Sequence, residues 1–158
     1  MTGSVTAPNF PSLPLGKAQG SLTQTEAEIL AFEHQLALAQ TMEALTSLWS
    51  DDSSLFDISP GAIIGLKKIR ENLAKQYSYV RDIKTTILHI RVEAETNLGV
   101  AYSVQKIEAH GVNGAPDMTF NFRMTNCFRK QNGRWLLFHQ HVSLPADLST
   151  GGVVLDAT

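Results

Sequence analysis

The feature that most constrains the fold is a change of hydrophobic period at about Asp82. Before it, apolar residues recur at helical spacing, and after it they alternate with polar residues. In the first alternating segment, for example, Leu88, Ile90 and Val92 are separated by polar side chains. Tight turns join four long segments of this kind, and Asn132-Gly133 is the strongest hairpin signal among them. Helices followed by hairpin-linked strands predict an α+β domain, with N-terminal helices packed on one face of a mostly antiparallel sheet.

The helical half of the pattern divides into three segments. Thr23 followed by Glu26 is a capping box, and the apolar residues behind it predict a long first helix. Thr41 can cap a short second helix that continues through Trp49. A third helix follows Gly65, and its apolar face consists of Leu66, Ile69 and Leu73.

The ends of the chain differ in composition from the part between them. Residues 1–20 hold three of the six prolines and no periodic apolar pattern, which predicts a flexible arm that folding does not require. Residues 21–147 form the single domain, and residues 148–158, rich in Gly, Ser and Thr, are predicted to be a loose tail. The arm lacks the basic start and apolar block of a signal peptide, so a cytoplasmic location is expected.

Composition excludes several classes of partner. The net charge is −2, and no concentrated basic stripe suggests nucleic-acid binding. The apolar runs are too short to span a membrane. Cys127 is the one cysteine, which rules out an internal disulfide, and nothing in the pattern indicates a cofactor. Charged residues make up only 18%, below the usual quarter, which favours a surface buried in a homo-oligomer, most simply a dimer.

Two segments carry a resemblance to a known family. FRMTNCFRKQNGRWLLFHQHVSLP combines an Arg-x-Thr strand, a polar-Gly-x-Trp turn, a His-x-His-x-Ser strand and a proline. LWSDDSSLFDISPGAIIGLKKIREN combines a Trp, an acidic pair, an aromatic-Asp pair, a proline and a glycine before the third helix. In this order and spacing, residues 21–147 resemble SnoaL-like, ketosteroid-isomerase-like proteins of the nuclear-transport-factor-2-like superfamily. The resemblance implies a strongly curved sheet, closed by helices into a cone with one pocket. It does not specify an activity, because this fold hosts isomerases, cyclases, epoxide hydrolases and non-catalytic binders.

Asp57 is the candidate catalytic residue. It stands at the position that resembles the proton-shuttling aspartate of steroid isomerases. Beside Trp49 and Phe56, a carboxylate at the pocket mouth would be partly desolvated and suited to act as a general base. The alternative is a carboxylate that caps the Pro60-Gly61 turn through backbone amides.

A polar face on the next-to-last strand supplies candidate ligand-binding residues: Asn121, Arg123 and Thr125. The resemblance places Arg123 inside the cone, where a charge must be paired or aimed at a ligand, since an isolated buried charge is too costly. We therefore expect a clamp for a carboxylate, enolate or phenolate, with Gln140 lining the same pocket. The alternatives are a structural ion pair or exposure on the outer face. The opposite face of the strand is apolar and suits a dimer interface or a helix-packed core: Met118, Phe120, Phe122, Met124 and Phe128.

His139 and His141 share a face of the last strand and complete the predicted set of ligand-binding residues, together with Trp49 and Phe56. Two histidines at this spacing can grip a metal ion, but no third ligand stands at a companion position, so no metal site is predicted. The alternative is a half-buried pair whose hydrogen bonds are satisfied by neighbouring groups.

These observations predict a small-molecule-binding protein. In an isomerase or cyclase reaction, Asp57 would abstract a proton beside the carbonyl of a polar or acidic ligand, and Arg123 and Thr125 would stabilise the oxyanion. The alternative is a binding or association module of the same fold without chemistry.

An epoxide hydrolase would need an Arg-x-acid strand, and here Thr125 takes the place of the acid. In an ungapped comparison, Glu33 stands at the position that resembles the oxyanion-binding tyrosine of the isomerases.

Overall fold

The computed structural model describes residues 22–58 and 61–157. The predicted arm at residues 1–20 lies outside the described residues. Within them the helices are α1 (Gln24–Leu38), α2 (Met42–Thr46) and α3 (Leu66–Tyr77). The strands are β1 (Trp49–Phe56), β2 (Ala62–Ile64), β3 (Val80–Ala94), β4 (Leu98–Gly111), β5 (Met118–Gln131), β6 (Arg134–Ser143), β7 (Ala146–Asp147) and β8 (Gly152–Val153).

The first six strands form one sheet in the order β2-β1-β6-β5-β4-β3. All of its strand pairs are antiparallel except β1 and β6, which run parallel. Register shifts interrupt three of the ladders, and such irregularities increase the local twist that curves a sheet. Helix α1 packs on the inner face, where the rings of Phe32 and Phe128 meet edge to face at 4.9 Å between centroids. The predicted α+β fold is therefore confirmed.

The helix starts follow from their capping residues. The Thr23 side chain accepts from the Glu26 backbone N–H at 3.1 Å, and the Glu26 carboxylate accepts from the Thr23 N–H at 2.8 Å. Thr41 caps α2 in the same way, through the Ala44 N–H at 3.1 Å. Both predicted caps are confirmed, and so is the apolar face of α3, since Leu66, Ile69 and Leu73 are buried.

The predicted hairpin at Asn132-Gly133 is also confirmed. Both residues have positive φ angles, 50° and 76°, as the tightest hairpin turn requires. Gln131 and Arg134 pair directly across this turn.

Two predicted boundaries are wrong. Helix α2 ends at Thr46 instead of continuing through Trp49, because Trp49 pairs with Leu137 of β6. The segment after Asp147 is not a loose tail, since β7 and β8 form a hairpin. The chain then continues beside β5 beyond the end of β6, where the Asn121 N–H donates to the Leu155 carbonyl at 2.7 Å. The C-terminal segment thereby pairs with the part of β5 that extends beyond its ladder with β6.

Candidate functional site

A cavity of about 170 Å³ lies between the inner face of the sheet and helices α1 and α3. It is slightly larger than the roughly 150 Å³ apolar cavity that accommodates benzene in another protein. Its wall is mostly aliphatic and aromatic, and no lysine or arginine of the described residues lines it. The polar side chains in the wall are Asp57, Gln76, Tyr77, Thr85, Gln105 and Gln140. The cavity therefore suits a compact, mainly apolar ligand with a few hydrogen-bonding groups.

Asp57 follows β1 directly and is held in the cavity wall by three hydrogen bonds. Its Oδ1 accepts from the Ile58 backbone N–H at 2.7 Å, and its Oδ2 accepts from the Gln76 amide at 2.6 Å. The Asn72 amide donates to the same Oδ2 at 3.3 Å. Asn72 and Gln76 are one turn apart on α3, so the helix fixes the carboxylate through two side chains on one face. A carboxylate has about four acceptor positions, and one remains for a ligand proton.

Tyr77 lies in the wall close to this carboxylate. Burial raises the pKa of its phenol, and the negative charge of Asp57 raises it further. Tyr77 therefore stays a neutral hydrogen-bond donor at physiological pH.

The inner face of the sheet contributes two glutamine amides to the cavity. Gln105 on β4 and Gln140 on β6 are 3% and 8% exposed. The Gln140 amide donates to Asn126 Oδ1 at 2.9 Å, and the Asn126 amide donates to Glu33 Oε1 at 2.7 Å. Glu33 is 1% exposed and does not line the cavity, so this chain of hydrogen bonds runs from the cavity into the core. Burial raises the pKa of Glu33 to about 7, although the hydrogen bond from Asn126 partly opposes this shift.

The prediction that Arg123 points into the cone is wrong. Arg123 is exposed, and it lies with Asn121 and Thr125 on the outer face of β5. The register of β4 and β5 is unbroken from Leu98 to Ala109, so the alternation of faces along β5 is fixed by its buried residues. Phe128 is fully buried against α1, which turns the even-numbered side chains of this strand inward. An arginine on that face would have to leave water for a mostly apolar cavity, which costs free energy.

The same alternation determines which face of the sheet the apolar residues of β5 lie on. Met118, Phe120, Phe122 and Met124 line the cavity, whereas Phe128 belongs to the core. The stripe therefore does not form an outer dimer face.

Three aromatic or histidine residues predicted for the pocket also lie on the outer face. Phe56 packs edge-on against His139 and His141, at 4.8 Å and 5.8 Å between ring centroids. His139 Nδ1 shares a hydrogen bond of 2.8 Å with the Ser54 hydroxyl, as the alternative interpretation of the pair expected. Burial and the nearby His141 lower the pKa of His139. Trp49 is instead buried in the core and does not contact the cavity.

Within the described ranges 22–58 and 61–157, no three or more His, Cys, Asp or Glu residues are grouped so that they could hold a metal ion. No helix in that part of the chain is both long and apolar enough to cross a membrane. The thiol of Cys127 is half-buried, and this burial raises its pKa, which disfavours the reactive thiolate.

Of the predicted site residues, the structure brings Asp57 and Gln140 to one cavity. Sequence reasoning missed Asn72, Gln76 and Gln105 as parts of this site. The i, i+4 spacing of Asn72 and Gln76 on a helix with an apolar face could have indicated a polar contact. Gln105 lies on the same face of β4 as Ala101 and Ser103, and all three are buried. A glutamine on this face of mostly small residues could have indicated a polar group in the pocket.

The family model described as the SnoaL-like domain matches residues 28–147. No curated protein matches this sequence. Among solved structures, a nuclear-transport-factor-2-like protein of unknown function from Pseudomonas putida has a TM-score of 0.74 at 20% identity, over 84% of this chain and 95% of that one.

Two further solved structures are similar in fold. A nuclear-transport-factor-2-like superfamily protein from Salmonella enterica has a TM-score of 0.70 at 18% identity, over 80% of this chain and 94% of that one. A type 2 hexachlorocyclohexane dehydrochlorinase has a TM-score of 0.64 at 15% identity, over 74% of this chain and 82% of that one. At these identities the similarity establishes the fold alone.

Proposed function

The chain belongs to the SnoaL-like domain family, and we propose that its cavity binds a compact, mainly apolar carbonyl compound from which Asp57 abstracts a proton. The observation that carries this proposal is the position of Asp57, a carboxylate in the wall of an otherwise mostly apolar cavity. Proton transfer to a fixed carboxylate is the first step of isomerisations and of several cyclisations.

Three features support the base role of Asp57. Its carboxylate is oriented by the backbone N–H of Ile58 and by the amides of Asn72 and Gln76, so little reorganisation is needed when a proton arrives. The neutral phenol of Tyr77 lies nearby as a donor. The dehydrochlorinase of similar fold is named for a reaction that removes HCl, and a carboxylate base would serve such an elimination equally well.

The ligand is expected to be less polar than the sequence suggested. The polar or acidic ligand was predicted because Arg123 was assigned to the cavity, and Arg123 is exposed on the other face of the sheet. The donors that line the cavity are neutral amides, a phenol and a threonine hydroxyl. These groups suit a ketone or aldehyde oxygen better than a carboxylate.

Hydrogen–deuterium exchange tests the proposal without knowledge of the natural substrate. Compact ketones such as acetophenone are incubated with the protein in D2O, and loss of the protons beside the carbonyl is followed by NMR. We expect catalysed exchange, and we expect Asp57→Asn to slow it about a hundredfold or more, because general base catalysis contributes at least that much.

Asp51→Asn is the matched control, since Asp51 is an exposed carboxylate on β1 and should not affect exchange. The alternative function, a binding or association module, predicts a different outcome. In that case acetophenone would bind without catalysed exchange, and Asp57→Asn would alter binding only. Exchange that is equally fast in the wild type and in Asp57→Asn would contradict the assignment of the base.

A further inference from the structure

Three buried side-chain amides converge on one sulfur atom in the cavity wall. They belong to Gln105 on β4, Asn126 on β5 and Gln140 on β6, which are adjacent strands. These residues are 3%, 0% and 8% exposed, respectively. Their nitrogen atoms lie 3.7, 3.2 and 3.6 Å from Met124 Sδ, respectively. Met124 itself lines the cavity.

Each of the three amides also makes one strong hydrogen bond to an oxygen atom, which fixes its orientation. Gln105 donates to Ser103 Oγ at 2.9 Å. Asn126 donates to Glu33 Oε1 at 2.7 Å, and Gln140 donates to Asn126 Oδ1 at 2.9 Å. A side-chain amide has two N–H groups, so each one keeps a single donor for the sulfur.

A thioether is a poor partner for these donors. Sulfur accepts hydrogen bonds weakly, and a buried N–H without a good acceptor costs free energy. Three such donors aimed at one point would interact far better with an oxygen atom. Methionine is flexible and can rotate away from the place that its sulfur fills here.

We propose that the amides of Gln105, Asn126 and Gln140 form an oxygen-binding subsite, which the side chain of Met124 occupies until a ligand's carbonyl oxygen replaces the sulfur. This inference rests on the proposed function, because it assigns the position of the ligand that Asp57 deprotonates.

The position of the subsite relative to Asp57 fits one small molecule. Gln140 pairs with Leu55 across β6 and β1, and Asp57 follows Leu55 by two residues. With a rise of about 3.3 Å per residue and a strand separation of about 4.8 Å, the two backbones are roughly 8 Å apart. Inward side chains from both positions can therefore reach a carbonyl oxygen and the carbon beside its carbonyl group.

The subsite would stabilise the charge that forms in the reaction. When Asp57 takes the proton from the carbon beside the carbonyl, the electron pair of the C–H bond moves into a carbon–carbon double bond, and the carbonyl electrons move onto oxygen. The resulting enolate oxygen accepts hydrogen bonds from the three N–H donors. Return of a proton from Asp57 to carbon restores a neutral carbonyl compound and the free carboxylate.

A pair of probes of almost the same shape tests the subsite. Acetophenone has a carbonyl oxygen where α-methylstyrene has a CH2 group, so the ratio of their dissociation constants isolates the contribution of the oxygen. We expect Gln105→Met/Gln140→Met to weaken acetophenone binding about tenfold relative to α-methylstyrene, because two hydrogen bonds are lost. The matched control Gln131→Met makes the same substitution at the exposed end of β5, outside the cavity, and should leave the ratio unchanged.

Two further measurements do not depend on the stability of the double variant. Acetophenone should shift the side-chain amide ¹⁵N–¹H signals of all three residues in the wild-type protein, and α-methylstyrene should not. Met124→Ala should tighten acetophenone binding more than α-methylstyrene binding, since the three N–H donors then lack the sulfur as a partner and only the ketone oxygen can accept from them.

The outcomes separate the subsite from the proposed function. A selective response to acetophenone without catalysed exchange would support the subsite and contradict the base role of Asp57. Exchange that depends on Asp57, with equal responses to the two probes, would support the base and overturn the subsite. If neither probe binds the wild type or Met124→Ala, both proposals are wrong.

Discussion

At the scale of single residues, Glu33 is an acidic side chain enclosed in the core of the described structure. Its carboxyl group is 1% exposed, and only one of its oxygens has a hydrogen-bond partner. Burial favours the neutral acid, so the pKa of Glu33 rises from 4.5 to about 7. The hydrogen bond from Asn126 links this group to the amides of the cavity, which makes its protonation relevant to both stability and binding.

Glu33 should make the protein less stable as pH rises from about 4.5 to about 7. In that range the unfolded chain has lost the Glu33 proton while the folded protein keeps it, so the free energy of unfolding falls with increasing pH. The effect of such a shift is about 3 kcal/mol. Glu33→Gln keeps an acceptor for Asn126 and cannot ionise, so urea denaturation at pH 5 and pH 8 should show a smaller loss of stability than the wild type.

Glu95→Gln is the control for this experiment, because it makes the same substitution at an exposed glutamate in the turn before β4. A Glu33→Gln variant whose stability changes with pH as the wild type's does would mean that Glu33 is ionised in the folded protein at pH 5.

The residues of the site were predictable to different degrees. Asp57 was found through the family resemblance, and the pattern that carries it, an aromatic-Asp pair before a proline and a glycine, lies within one short segment. Arg123 was placed on the wrong face because the resemblance put it inside the cone, and the alternation along β5, with one polar and one apolar face, does not itself say which face is inside. Only the burial of Phe128 under α1 decides between them, and this contact joins segments far apart in the sequence.

At the scale of secondary-structure elements, the signals that were reliable are local ones. The capping box at Thr23 and the turn at Asn132-Gly133 are satisfied by neighbouring residues, and both are formed as expected. The end of α2 and the path of the segment after β8 were missed because pairing with distant strands determines them, whereas β7 and β8 pair locally with each other. Leu137 of β6 draws Trp49 into a strand, and Asn121 of β5 pairs with the C-terminal segment.

The turn between β5 and β6 offers a test of such a local signal. Gly133 has a φ of 76°, which a β-branched residue adopts only under strain. Gly133→Val should therefore lower the free energy of unfolding by about 1–3 kcal/mol. Gln131→Val places the same residue in the adjacent, exposed end of β5 and should change stability little. Equal effects of the two substitutions in urea denaturation would show that the turn tolerates another geometry.

At the scale of the whole molecule, the two faces of the sheet have different roles. The inner face carries the core and the cavity, so the apolar stripe of β5 is already covered. The outer face is mixed in character. Near its middle, Phe56 packs on His139 and His141 beside Thr125, and Cys127 lies next to His139 across β5 and β6. Arg123 is the exposed charged neighbour of this cluster on β5, and charged residues make up only 18% of the sequence as a whole.

We predict that the protein forms a homodimer through this outer face, with two sheets packed against each other. Thr125→Arg introduces a charge near the centre of the face, between Tyr102 and His141. A desolvated, unpaired charge at the centre of an interface costs several kcal/mol, so this variant should sediment as a monomer at micromolar concentration. Thr86→Arg places the same charge at an exposed position of β3, the strand at the edge of the sheet. Solvent screens a charge there, so this variant should remain a dimer. A wild-type protein that is already monomeric, or a Thr125→Arg variant that stays dimeric, would show that this face is not the interface.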